Sequence, residues 1–103
     1  MAFDAYRQEW ENRWKEIQRS YGDDPEQLLK LSLNALQELP FDWQFLYRAA
    51  VDELRIAEGE ADAQRKAKLL GAAVVHARLS IEMDPEKRSA QWVLEKAQAM
   101  LDS

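Results

Sequence analysis

Between Ala61 and Pro85 the chain reads ADAQRKAKLLGAAVVHARLSIEMDP. Small or apolar residues fall at Ala63, Ala67, Leu70, Val74, Ala77 and Ile81, in alternating steps of four and three. That spacing draws one stripe along a helix face. A second stripe, Leu69, Ala73, His76, Leu79 or Ser80 and Met83, runs beside it. A helix with so wide an apolar arc has to be covered from two sides. This stretch is expected to be the central element, with Asp62 as its N-cap and the rest of the chain packed around it.

The flanking segments carry the same period. In a first helix from about Asp4 to Tyr21, the residues Phe3, Tyr6, Trp10, Trp14, Ile17 and Tyr21 form an aromatic seam. Such seams normally bury area in a core. Gly22 suits a left-handed helix end, and Asp24-Pro25 is a strong start signal. Asp caps free N–H groups, and Pro at the first helical position loses no hydrogen bond. A second helix, Pro25 to Glu38, is leucine-rich around much of its circumference and is expected between two layers. Leu39-Pro40 ends it, and Asp42 caps a third helix from Trp43 to about Ala57. There, Trp43, Leu46, Ala50, Leu54 and Ala57 mark one apolar side, and Phe45, Ala49 and Ile56 another. Asp84-Pro85 repeats the earlier start signal. It predicts a last helix from Pro85 to Leu101, with Ala90, Val93, Leu94, Ala97 and Leu101 inward and Trp92 off the stripe.

With three Gly, three Pro and short connections, the expectation is all-α: five antiparallel helices in a single domain spanning residues 1–103. The chain has no cysteine, which excludes disulfides, thiolate zinc sites and cysteine nucleophiles and fits a cytoplasmic setting. No apolar run approaches the roughly 18 residues that span a bilayer, and the first residues lack the apolar core of a secretion signal. Fourteen Lys and Arg stand against nineteen Asp and Glu, a formal charge of -5 with the signs interleaved. That balance argues against direct nucleic-acid binding, which needs clustered cations. The one basic cluster, Arg65, Lys66 and Lys68, follows the acidic Glu58, Glu60 and Asp62.

No catalytic or metal-binding constellation stands out. His76 is the only histidine, and it has no local acid to orient it toward Ser80. Glu58-x-Glu60-x-Asp62 has alternating oxygen ligands, but the twelfth position of such a calcium loop would be Leu69 rather than Glu. Neither a Glu-x-x-His for a di-iron bundle nor a glycine-rich phosphate loop is present. The expected cofactors and metals are therefore none.

Two segments end alike: Leu33-Asn34-Ala35-Leu36-Gln37-Glu38-Leu39-Pro40, and Leu79-Ser80-Ile81-Glu82-Met83-Asp84-Pro85. Each sets a small residue, Ala35 or Ser80, five positions before a proline. This resembles the closing segment of a tetratricopeptide (TPR) repeat, a helix pair whose second helix ends Ala-Leu-x-x-Asp-Pro. Leu46 and Ala50 match the bulky and small positions of that family's first helix, and Ala73 matches the small packing residue of the second. Ala77 and Glu53 depart from it where aromatics are common. Pro40 and Pro85 stand 45 residues apart, against a family period of about 34.

The resemblance implies a TPR-like helical-hairpin stack of two units plus a capping helix. It also implies a peptide-receiving groove lined by Gln44, Tyr47, Arg48, Val51 and Arg55. Arg48 and Arg55 would then present two forks to a carboxylate, unless Asp52 pairs with both. The expected function is a non-enzymatic, cytoplasmic protein–protein or peptide interaction module. The run from Asp24 to Pro85 is also similar, more distantly, to helical sensor regions of bacterial helix-turn-helix regulators. That implies the alternative of a ligand-sensing or homodimerising regulatory domain, with Trp10, Trp14 or Trp92 facing a second copy.

Overall fold

The computed structural model describes residues 2–103. Among them the fold is all-α: α1 (Ala2–Tyr21), α2 (Pro25–Glu38), α3 (Trp43–Glu58), α4 (Ala63–Met83) and α5 (Gln91–Asp102), with no strand. The helices follow one another in space, each packed on the next, and α5 also touches α3. The result is a slab of 46 × 32 × 19 Å.

The capping residues act as expected at three of the starts. Asp24 accepts from the Glu26 N–H, Asp42 from those of Gln44 and Phe45, and Asp62 from that of Arg65. Each satisfies donors that a helix N-terminus leaves free. Gly22 takes φ 65°, the left-handed conformation that ends α1 cheaply.

The central element is α3, not the α4 segment that the apolar pattern singles out. Phe45, Leu46, Ala49, Ala50, Leu54 and Ala57 of α3 are all at or near zero exposure. They cover more than one face, because α2 packs on Ala49 and Ile56 while α4 packs on Ala50, Leu54 and Ala57. The small pair Ala49-Ala50 lets both neighbours come close. In α4 the stripe enters the core only at Leu70, and Ala63 and Ala67 remain exposed. Two methyl groups offer little apolar area, so nothing is gained by drawing that first turn inward. From Leu70 the core runs through Ala73, Val74 and Ala77 to Ala90, Val93 and Ala97.

The last helix starts later than Asp84-Pro85 predicts. The Asp84 N–H is already bonded to the carbonyls of Ser80 and Ile81, so Asp84 closes α4 and does not open α5. Residues 85–87 make one turn, with the Arg88 N–H on the Asp84 carbonyl, and Arg88 then adopts φ 49°. That left-handed residue redirects the chain so that Ala90, Val93 and Ala97 reach zero exposure. The inward stripe ends on Met100, which packs on the core, while Leu101 is exposed.

α1 is attached differently from the rest. Trp10 is buried against Ala35, Leu39 and Phe45, with Trp14 half-buried beside it. Tyr6 and Tyr21, at the two ends of the aromatic seam, are exposed, and the Phe3 side chain lies outside the described residues. Polar contacts supply much of the rest. The Tyr6 hydroxyl and the Trp10 indole N–H both donate to Glu38, and Arg7 donates to Asp42 and Gln44. Leucines of α2 are divided: Leu28 and Leu29 are buried, and Leu33 is exposed.

Candidate functional site

On α3, Gln44, Tyr47, Arg48, Val51, Asp52 and Arg55 recur at helical spacing and share one face. Trp14 and Gln18 of α1 stand opposite, with Asp23 of the α1–α2 turn and Leu28 of α2 beside them and Ser89 at the far edge. Together they enclose an open groove of about 460 Å³. All five residues assigned by resemblance, Gln44, Tyr47, Arg48, Val51 and Arg55, line it. α4 contributes nothing to the lining. Leu28 and Asp52, at 4% and 5% exposure, are its two buried lining residues and form its floor.

Arg48 is not free to fork onto an incoming carboxylate. Its Nη1 donates to Glu11 Oε2 at 2.7 Å and its Nη2 to Glu11 Oε1 at 2.8 Å. Its guanidinium also lies 3.9 Å from the centre of the Trp14 ring. A bidentate pair stacked on an aromatic ring is a rigid arrangement. The Arg48 hydrogen bonds hold the Glu11 carboxyl below the usual carboxylate range, against the opposing effect of its burial. Thus Arg48 supplies a fixed wall. The sequence offered no sign of this partner, because Glu11 is 37 residues away on another helix.

Asp52 pairs with neither arginine closely. Its Oδ1 lies 3.8 Å from Arg55 Nη1, beyond hydrogen-bonding distance. Burial pushes its carboxyl up to about 7, with Arg55 and Arg48 opposing and Glu53 and Asp23 adding to the rise. A carboxylate so enclosed and so weakly partnered loses hydration that nothing in the groove replaces. The Arg55 side chain, 44% exposed, projects toward solvent. Across the open end, the Trp92 indole N–H donates to the Tyr47 hydroxyl at 3.2 Å, which fixes the tyrosine at the groove's rim.

The next residue along α3 faces the opposite way. Glu53, 3% exposed, meets His76 of α4 with Oε1 and Nδ1 2.6 Å apart. This is the orienting acid that no local motif shows. Burial raises the Glu53 carboxyl, and the His76 hydrogen bond opposes that rise. Ser80 does not complete a triad, because its hydroxyl donates to the Trp43 carbonyl at 2.9 Å. The pair therefore joins α3 to α4 without a nucleophile beside it. Among the described residues no three His, Cys, Asp or Glu side chains are grouped to hold a metal.

A second hollow, of about 620 Å³, lies at the α2–α3 turn, between Arg7, Pro40, Phe41, Gln44 and Met83. It is larger, but the polar groups that line it are already paired: Arg7 with Asp42 and Gln44, and Glu38 with Tyr6 and Trp10. Comparison of the chain with protein-family models, curated proteins and solved structures finds no match. Among the described residues no helix is long and apolar enough to cross a membrane.

Proposed function

We propose that the chain is a non-enzymatic, cytoplasmic interaction module whose α1–α3 groove receives a short peptide segment of another protein. The observation that carries this reading is the groove itself. Its volume of about 460 Å³ falls within the usual range for ligand-sized sites. Its Arg48–Trp14 wall is already locked, so little ordering is needed on binding. An alternation in which α1 and α3 face the groove while α4 stays behind is what a TPR-like hairpin stack would produce. A peptide in such a groove would gain from apolar contact with Tyr47 and Val51 and from the polar groups between them.

Selection of a displayed random-peptide library on the folded protein, followed by calorimetry, tests this. Selected peptides should lose affinity when Val51 is replaced by Asn, which removes apolar contact without adding charge, while Lys96→Ala on α5 changes nothing. Peptides that bind both variants equally would place recognition elsewhere.

A second reading, a dimerising regulatory domain, is favoured by one observation. Of the three tryptophans that could face a second copy, Trp10 is buried and Trp14 is packed under Arg48, whereas Trp92 is 47% exposed. Light scattering across a dilution series separates the readings: a concentration-dependent dimer abolished by Trp92→Ser supports the second.

A further inference from the structure

Asp52 is a carboxylate more than nine-tenths buried, on the floor of the groove, with no hydrogen-bond donor within reach. Its neighbours do not supply one. Arg48 is used up on Glu11, and Arg55 stops 3.8 Å away with its side chain half in water. The charges along the groove do not balance either. With Arg48 and Glu11 cancelling each other, Asp23 and Asp52 face Arg55 alone. What this floor lacks is an N–H donor carrying positive charge. Beside it lie Leu28, Val51 and Tyr47, an apolar surface of the kind that the methylene stems of long cationic side chains cover.

We propose that the groove selects a basic side chain, a lysine or arginine of the bound segment, which seats its charged end on Asp52. The stem lies along Leu28, Val51 and Tyr47, and Arg55 swings out to make room. Displacing Arg55 costs little, since a half-exposed ion pair at that distance contributes little. The incoming cation makes charge-assisted hydrogen bonds with a carboxylate that is largely withdrawn from water, where they are stronger than at an exposed surface. This inference rests on the reading of the groove as a peptide site and adds the chemistry of its occupant.

Three blocked pentapeptides, Ala-Leu-X-Leu-Ala with X as Lys, norleucine or Glu, test it by titration into isotopically labelled protein at about pH 8, where Asp52 is ionised. The Lys peptide should shift the backbone resonances of Val51 to Arg55 and saturate at about tenfold lower concentration than the norleucine peptide. In Asp52→Asn that preference should vanish while the norleucine peptide binds as before, and in Arg55→Gln the Lys peptide should bind more tightly. Circular dichroism of each variant confirms that it is folded. Equal saturation by Lys and norleucine peptides, a preference for Glu, or a Lys preference that survives Asp52→Asn overturns the inference and leaves the peptide groove standing. Groove resonances unmoved by all three peptides overturn the inference and the groove reading together.

Discussion

Arg48 of α3 grips Glu11 of α1 through both guanidinium nitrogens, at 2.7 and 2.8 Å, while its flat face covers Trp14. With Arg48 and Glu11 side chains only 15% and 12% exposed, each charge has lost most of its water. Removing one partner strands the other, and that cost exceeds the net worth of the pair. Arg48→Met should lower unfolding stability in urea by about 3 kcal/mol. Adding Glu11→Leu should recover a good part of that loss. The sign with pH follows from the depressed Glu11 carboxyl. Its contribution is present above the ordinary carboxylate pKa of about 4 and disappears as acid protonates Glu11 in the folded state.

Asp52 has the opposite sign. Burial pushes its folded carboxyl up to about 7, above the ordinary aspartate value of 3.8. The folded state therefore binds a proton that the unfolded chain releases, and Asp52 destabilises the fold increasingly as pH rises through that window. Asp52→Asn should make the protein more stable at about pH 8, by about 4 kcal/mol at most, and leave stability at about pH 4 unchanged. Urea midpoints of both proteins across pH check this. A wild type as stable as the variant at the higher pH would show that Asp52 is well solvated.

The crossing of α3 and α4 depends on small side chains. Ala73 has no exposed surface, and it lies in one cluster with Ala50, Leu54 and Ala77. Ala73→Trp should cost about 3 kcal/mol or more through overpacking. Thermal unfolding checks this, and a neutral result would place Ala73 away from the crossing.

Arg88 holds φ 49°, a conformation that L-residues adopt at a cost of about 1–2 kcal/mol. Arg88→Gly relieves that strain but loosens the unfolded chain, a loss of roughly 0.5–1 kcal/mol. The variant should gain up to about 1 kcal/mol. Arg88→Val, with a β-branched side chain in the same conformation, should lose stability. Calorimetric melting temperatures rank the three.

How much of this could be read in advance depends on where each signal sits. The bounds of α2, and the caps of α3 and α4 at Asp42 and Asp62, are written in adjacent residues, because an Asp reaches N–H groups two or three positions away. The same logic fails at Asp84-Pro85. There the Asp84 N–H is claimed by the end of α4, and local sequence does not rank a helix stop against a helix start. That Gln44, Tyr47, Arg48, Val51 and Arg55 share one face was legible because they sit at helical spacing on one helix. Their partners were not: Glu11 is reached from Arg48 across 37 positions, and Glu53 meets His76 across 23. Periodicity also overrated α4. It reports which face is apolar but not how many neighbours cover it, and α3 packs against α2, α4 and α5 whereas α4 packs mainly against α3 and α5.

The mode of attachment of α1 bears on the groove it walls. Among the described residues Trp10 is the one buried apolar side chain of α1, and beyond its contact with Phe45 the links of α1 to α3 are ion pairs, hydrogen bonds and the Arg48–Trp14 stack. Amides of such a helix exchange with solvent through partial openings well before the whole chain unfolds. One wall of the groove thus belongs to a helix held by few buried apolar contacts, while the other belongs to the most deeply embedded helix. Any occupant that touches both must add its binding free energy to the docking of α1. Slower hydrogen exchange across α1, with α3 unchanged, becomes a readout of occupancy even before the occupant is known.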